Sequence, residues 1–259
     1  MDTYFLHQGS APLLISLPHD GSWLPAELAE RMHPFARRSP DTDWHVSRLY
    51  GSLAGKLGAS LIRPKASRYV IDLNRPADGH KLYPGQRETG LVSTISFAGE
   101  PLYLEGMEPD EAEVQQRIND YWKPYHQALA QEVARLRREH GRVVVWEGHS
   151  IRTSVPMLFE GELPELNLGT ADGASCEPSL EQQLRAELSG QKDYSFVVNG
   201  RFKGGYITRH FGQPGEGVQA VQLELAQHIY MDEESFAYDE AKAPKLQEQI
   251  ERLLRICLV

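Results

Sequence analysis

Residues Val143–Ile151 read VVVWEGHSI, and this stretch decides the fold class. Val143, Val144, Val145 and Trp146 are β-branched or aromatic and consecutive, the pattern of a strand covered on both faces, as in a parallel sheet flanked by helices. The run turns polar within three residues, at Glu147, Gly148, His149 and Ser150. Open α/β sheets bind ligands outside the carboxyl ends of their strands. A His placed there can ligate a metal or move a proton. It can also be a satisfied His in a strand-end turn, so further signals must decide.

Two other runs end the same way. Pro12–Pro18 (PLLISLP) is short enough for a buried strand and leads into His19-Asp20-Gly21. Val218–Leu225 (VQAVQLEL) alternates, which puts Gln222 and Glu224 on one face and Val221, Leu223 and Leu225 on the other. Further strands are expected at Ser60–Ile62, Ser67–Leu73, Leu166–Leu168 and Tyr194–Val198. Helices are expected at Pro25–Met32, Trp44–Leu57, Glu108–His140, Pro178–Ser189 and Ala241–Leu258. The 108–140 helix is the clearest, with apolar residues from Val114 to Leu136 at spacings of three and four and Gly141 placed to end it. Asp41 or Thr42 is expected to cap the 44–57 helix, with Asp43 in its first turn. Residues 77–101 carry several Gly and Pro with no helical period and read as a long loop.

Strands alternating with helices predict an α/β fold: one domain over residues 1–259, with a mixed, mostly parallel sheet flanked by helices. No repeat, low-complexity segment or Gly/Ser-rich linker divides the chain. There is no GxGxxG, no GxxxxGK[ST] and no GxSxG elbow, so dinucleotide, P-loop and serine-hydrolase sites are not supported. Ser150 beside His149 has the wrong geometry for a nucleophile and base, because strand neighbours face opposite ways.

The composition is ordinary: 41% hydrophobic and 24% charged over 259 residues. A net charge of −9 argues against a nucleic-acid partner. No apolar run approaches the roughly 18 residues of a membrane helix, so no membrane partner is expected. The amino-terminal stretch MDTYFLHQGSAP does not read as a signal peptide. Two distant cysteines, Cys176 and Cys257, form no disulfide framework or zinc knuckle, and a cytoplasmic location is expected.

His19, His149 and Glu224 thus sit at or just past strand ends, with Asp43 at a helix start. Two His and one carboxylate make a catalytic zinc set that leaves a position for water. Zinc lowers the pKa of that water toward about 7 and makes hydroxide available. A separate carboxylate can then serve as general base and pass the proton to the leaving group. The competing reading makes Glu224 the partner of an Arg. Arg68, Arg75, Arg152 and Arg209 each lie beside a motif, and guanidinium groups grip carboxylates bidentately, which points to a small anionic substrate. Ordinary ion pairs are the alternative for each.

The chain resembles the N-formylglutamate amidohydrolase (deformylase) family. The resemblance rests on PHDG at Pro18–Gly21, DTDW at Asp41–Trp44, RYVIDLNRP at Arg68–Pro76 and EGHSI at Glu147–Ile151. NGRFKGGYITRHFG at Asn199–Gly212 and QLEL…YMDE at Gln222–Glu233 carry it further. LYPG at Leu82–Gly85, PLY at Pro101–Tyr103 and the segment Pro156–Thr170 fit it too. It implies a zinc-carboxypeptidase-like (phosphorylase/hydrolase-like) α/β fold. It also implies hydrolysis of N-formyl-L-glutamate to formate and glutamate, the end of one route of histidine degradation. By that analogy one divalent metal ion, Zn2+, is held by His19, His149 and Asp43, and Glu224 is the general base. The same analogy makes Asn74-Arg75 the pair used on a substrate carboxylate, and with Arg68, Arg152, Tyr206 and Arg209 these residues are expected to form the substrate-facing set.

Two departures stand out. Ser22 occupies the position where a carboxypeptidase has its ligand Glu, which moves that role to Asp43. Gly200-Arg201 stands where something closer to Asp-Pro is expected. The alternatives are a deacylase for another N-acyl amino acid or peptidoglycan fragment, and a non-catalytic small-anion binder.

Overall fold

Nine consecutive residues with no exposed side chain, Val143–Ile151, need neighbours on both edges and both faces, and the structure supplies them. The computed structural model describes residues 3–82, 85 and 87–259, so Tyr83 and Pro84 of the LYPG motif lie outside it. The strands are β1 (Tyr4–His7), β2 (Leu13–Ser16), β3 (Ser60–Pro64), β4 (Val143–Ile151), β5 (Leu166–Gly169), β6 (Phe196–Val198) and β7 (Val218–Ala226). They form one seven-stranded sheet in the order β1-β3-β2-β4-β7-β5-β6, with β4 in the middle. β3, β2, β4 and β7 run parallel, as do β5 and β6. β1 against β3 and β5 against β7 are antiparallel. The mixed, mostly parallel sheet is the one expected; β1 is an edge strand that the sequence reading did not include.

Alternation along β4 and β7 sorts their side chains into two cores. Val144, Trp146, Val221, Leu223 and Leu225 pack on one face, under α2 (Val46–Leu57), α5 (Pro178–Gly190) and α7 (Ala243–Ile256). Trp146 is fully buried, and its indole N–H donates to Tyr50 Oη at 3.1 Å, so the ring is buried without stranding its polar atom. Gly148 makes room for that packing: a Cβ there would lie 2.7 Å from both Leu17 and the Tyr50 ring. The other face buries Val143, Val145, Val218 and Ala220 under α1 (Ala26–Glu30), α4 (Lys123–His140) and α6 (Tyr206–Phe211). Further along, this second face turns polar, with Glu147 and His149 on β4 and Gln222 and Glu224 on β7. His149 and Glu224 are cross-strand partners.

Several local expectations are corrected. Ser67–Leu73 is not a strand. Val70 N–H bonds back to Ser67 O in a turn, Asp72 N–H goes to Leu91 O, and the apolar residues are buried without a ladder partner. The helix α2 begins at Val46, and neither Asp41 nor Thr42 caps it. Asp20 accepts from Ser47 N–H at 2.9 Å instead, while Asp41 accepts from Tyr69 Oη and Phe97 N–H. Tyr206–Phe211, where no helix was expected, is a helix too short to show a period.

The long helix is interrupted. α3 (Glu111–Arg117) and α4 are joined by a π turn, Ile118–Trp122, in which Lys123 N–H reaches back to Ile118 O. Pro124 follows and has no N–H to give, so the wider turn falls where the regular ladder already lacks a donor. It stacks Trp122 on His126 with ring centroids 3.8 Å apart. Trp122 Nε1–H then donates to Arg75 O and His126 Nε2–H to Leu73 O, both at 2.8 Å, which pins the backbone of Leu73–Arg75.

Burial pushes the His126 pKa down to about 3 from 6.5, so the ring is neutral in the folded protein. Below pH 6.5 the unfolded chain takes a proton here that the folded one refuses, so stability must fall as pH falls toward 3. His126→Gln, which keeps an N–H donor, should remove about 2 kcal/mol of the stability lost between pH 7 and pH 5. Urea melts at the two pH values check this, and an unchanged acid limb contradicts it.

Candidate active site

The second sheet face supplies the floor of a cleft at the carboxyl ends of β2, β4 and β7. His19 arrives from the turn after β2, His149 and Glu224 from the ends of β4 and β7, and Asp43 from just before α2. Asp43 N–H donates to His19 O at 3.1 Å, tying the two loops together. The residue between Asp43 and α2 that absorbs the sharp bend is His45, held in a left-handed conformation at φ 65°.

His19, Asp43 and His149 are buried and present ligand atoms that all lie within 4.8 Å of one another. Asp43 Oδ2 is 3.0 Å from His149 Nδ1 and 3.7 Å from His19 Nδ1. The far nitrogen of each ring meets another buried carboxylate: His19 Nε2 is 2.7 Å from Asp72 Oδ1, and His149 Nε2 is 3.1 Å from Glu147 Oε1. Asn74 Nδ2 also lies 3.0 Å from His149 Nε2. Arg68 closes the cluster, donating to Asp72 Oδ2 at 2.8 Å and standing 3.6 Å from Asp43 Oδ1.

Charge balance explains the protonation pattern. Burial alone would raise Asp43, but the two His rings overcome it and hold the carboxyl well below its usual range. For Asp72, burial is likewise overcome, here by His19 and Arg68. Burial would lower His149, yet hydrogen bonds to Asp43 and Glu147 raise it well above an ordinary His. Glu224 goes the other way. Burial, with Asp43 and Glu147 adding negative charge nearby, pushes it up to about 8 against the pull of His149 and Arg68. Among the described residues its carboxylate has no hydrogen bond and no Arg or Lys at ion-pair distance, so the reading of Glu224 as an Arg partner loses its support.

The cleft brings together His19, Asp43, His149, Glu224, Arg68, Asn74 and Arg75 from the sequence-derived set. Arg75 is steered by Thr89, whose carbonyl accepts from its Nε–H at 2.9 Å. Arg152, Tyr206 and Arg209 do not line it. Arg152 follows the last residue of β4 and turns into a neighbouring hollow, 5.6 Å over the Phe236 ring. On α6 the inward residues are Ile207, Thr208 and Phe211, which leaves Tyr206 and Arg209 on its outer side. There Tyr206 packs against Trp122 and His210, and Arg209 Nε–H bonds to Gly204 O.

Asp72, Glu147 and Arg201 also belong to the site, although the sequence reading gave them no role. Arg201 lines the cleft while donating to Leu158 O and Arg87 O. Glu147 was readable, since two residues before His149 on a strand is the same face. Ser22 lines a separate hollow of about 750 Å3. That hollow is roomier than the cleft but contains no His, and its Asp20 and Arg63 already pair with each other at 3.0 Å.

Comparison with known proteins gives the family of the chain. The N-formylglutamate amidohydrolase family model matches residues 11–231. The chain is 47% identical over 253 residues to the N-formylglutamate deformylase of Pseudomonas putida, covering 97% of this chain and 94% of that one. It is 50% identical over 252 residues to the N-formylglutamate deformylase of Pseudomonas aeruginosa, covering 95% and 94%. The crystal structure of an N-formylglutamate amidohydrolase from Ralstonia eutropha JMP134 superposes with a TM-score of 0.84 at 28% identity, covering 99% and 97%. A gene product from Agrobacterium tumefaciens shares the fold, with a TM-score of 0.73 at 20% identity and coverage of 98% and 96%. With the family model spanning most of its length and two relatives near half identity, the chain belongs to the N-formylglutamate amidohydrolase family and is an amide-cleaving hydrolase.

Proposed function

We propose that this cleft hydrolyses N-formyl-L-glutamate to formate and L-glutamate, with one zinc ion held by His19, Asp43 and His149. The observation that carries the reading is the convergence of these three buried side chains in a cleft that also presents Arg68 and Arg75. The names of the Pseudomonas relatives support the substrate. Two imidazoles and one carboxylate suit zinc and leave a coordination position open, whereas magnesium and calcium prefer an all-oxygen set. Zinc bound there supplies Lewis acidity and lowers the pKa of a water that it holds.

The chain's own residues do the rest. Glu224 holds the proton taken from the attacking water and returns it to the nitrogen of the departing glutamate. Its raised pKa suits a group that must both accept and give a proton near neutrality. With a divalent cation held by the three ligands, the Glu224 carboxylate would be favoured in its ionised form, the form that accepts a proton. Arg68 is committed to Asp72 and orders the ligands, while Arg75 grips a substrate carboxylate with Asn74 beside it. An Asp-x-Asn-Arg segment feeding a cleft at the end of a parallel sheet also supports kinship with the zinc carboxypeptidases. We take the chain to work as one domain, and its two buried, unpaired cysteines fit a reducing cytoplasm.

Formate release from N-formylglutamate, compared with N-formylaspartate and N-acetylglutamate, tests the substrate. Preference for N-formylglutamate is expected, and faster turnover of another acyl amino acid would transfer the reading to a related deacylase. Arg75→Lys should raise KM about tenfold or more with kcat less affected, because Lys cannot replace a bidentate fork. Unchanged KM would place the carboxylate grip elsewhere in the cleft.

A further inference from the structure

In its neutral form, the form that binds a metal, His149 has a choice of tautomer that its neighbours must settle. Its Nδ1 faces Asp43 Oδ2, the atom around which the candidate metal donors gather. For Nδ1 to bind a cation, the proton of the neutral ring must sit on Nε2 and be accepted there. Among the described residues two groups touch Nε2: Asn74 through its amide nitrogen, a donor, and Glu147 through Oε1, an acceptor. Only Glu147 favours the tautomer that frees Nδ1.

Glu147 is itself fixed from behind. It is fully buried, and its other oxygen, Oε2, accepts from Thr208 N–H at 2.7 Å and from the Thr208 hydroxyl. The same first turn of α6 holds Asn74, whose Oδ1 accepts from Ile207 N–H at 2.9 Å. A Cβ on Gly205 would fall 2.2 Å from the Asn74 amide nitrogen, so the turn sits as close as glycine allows. The strand places Glu147 on the face of His149 and α6 locks its far end.

We propose that Glu147 is a positioning residue, holding His149 with Nε2 protonated and Nδ1 turned to Asp43, and that Thr208 on α6 holds Glu147 in turn. This rests on the zinc reading above. Both Glu147 oxygens accept from N–H groups, whereas an amide has one acceptor and one donor end. Glu147→Gln must therefore set an NH2 against either Thr208 N–H or His149 Nε2–H.

The test is zinc affinity by chelator competition, with the melting temperature of the metal-free protein measured alongside. Glu147→Gln should weaken zinc binding about 10–100-fold, the usual cost of losing the partner of a metal-bound His. Glu147→Asp, which keeps two acceptors on a shorter arm, should recover part of that loss. Thr208→Val removes only the hydroxyl and should weaken zinc a few-fold, which keeps the test available if Glu147→Gln does not fold. A purely structural Glu147 would lower the melting temperature and leave the zinc affinity of the folded protein unmoved. Zinc affinities within twofold of wild type in both Glu147→Gln and Thr208→Val overturn the proposal. A wild-type protein that binds no zinc overturns instead the reading on which it rests.

Discussion

Replacing Glu224 with Gln should lower kcat by about 10²–10⁴-fold, the usual worth of general acid–base catalysis, while zinc, fold and substrate affinity stay near wild type. The residue lies opposite His149 in the β4–β7 ladder and is 7% exposed, at the wall of the cleft. Its carboxylate is held by no hydrogen bond or ion pair among the described residues, so the amide breaks no structural contact. A buried carboxylate without a partner costs stability that a neutral isostere avoids. The melting temperature of Glu224→Gln should therefore hold or rise. The two proton transfers need an ionisable group and are lost with it. A destabilised variant whose folded fraction turns over normally would return Glu224 to a structural role.

His149→Ala should cost more, abolishing stoichiometric zinc and activity together, and His19→Ala should do the same. Each change removes a donor from a set of three, a heavier loss than the about 10–100-fold typical of removing a partner of a metal-bound His. It also takes from Asp43 one of the two rings that hold its carboxyl low, so the metal-free variants should be less stable at neutral pH. That contribution is present above the ordinary carboxylate pKa and is lost as pH falls through the depressed one. The gap in stability between wild type and variant should therefore close in acid. Zinc retained in full by either variant would place the metal elsewhere.

Much of this site could be read in the chain because parallel strands deliver residues to one edge. His19, His149 and Glu224 each follow a short apolar run, and alternation alone put Glu224 opposite Leu223 and Leu225. Loop geometry was not legible. RYVIDL has the composition of a strand, yet its apolar residues are buried one by one in turns, and only the fold shows Asp72 reaching His19. An Arg beside a motif does not reveal its direction: Arg68 and Arg75 enter the cleft, while Arg152 turns to Phe236. Pro124 signalled the break in the long helix, but the apolar spacing continues across the π turn and hides it. Asp41 and Thr42 looked like caps for the helix that begins at Val46 because Asp20, which accepts from its first turn, is distant in sequence.

The central claim is that one metal ion held by His19, Asp43 and His149 is needed to release formate from N-formylglutamate. The most direct measurement is formate release on a single preparation, assayed as purified, after chelation verified by elemental analysis, and after return of one equivalent of zinc. Loss of turnover on chelation and its recovery at one zinc per chain is the predicted result. Full turnover by protein shown to be free of metal would contradict it.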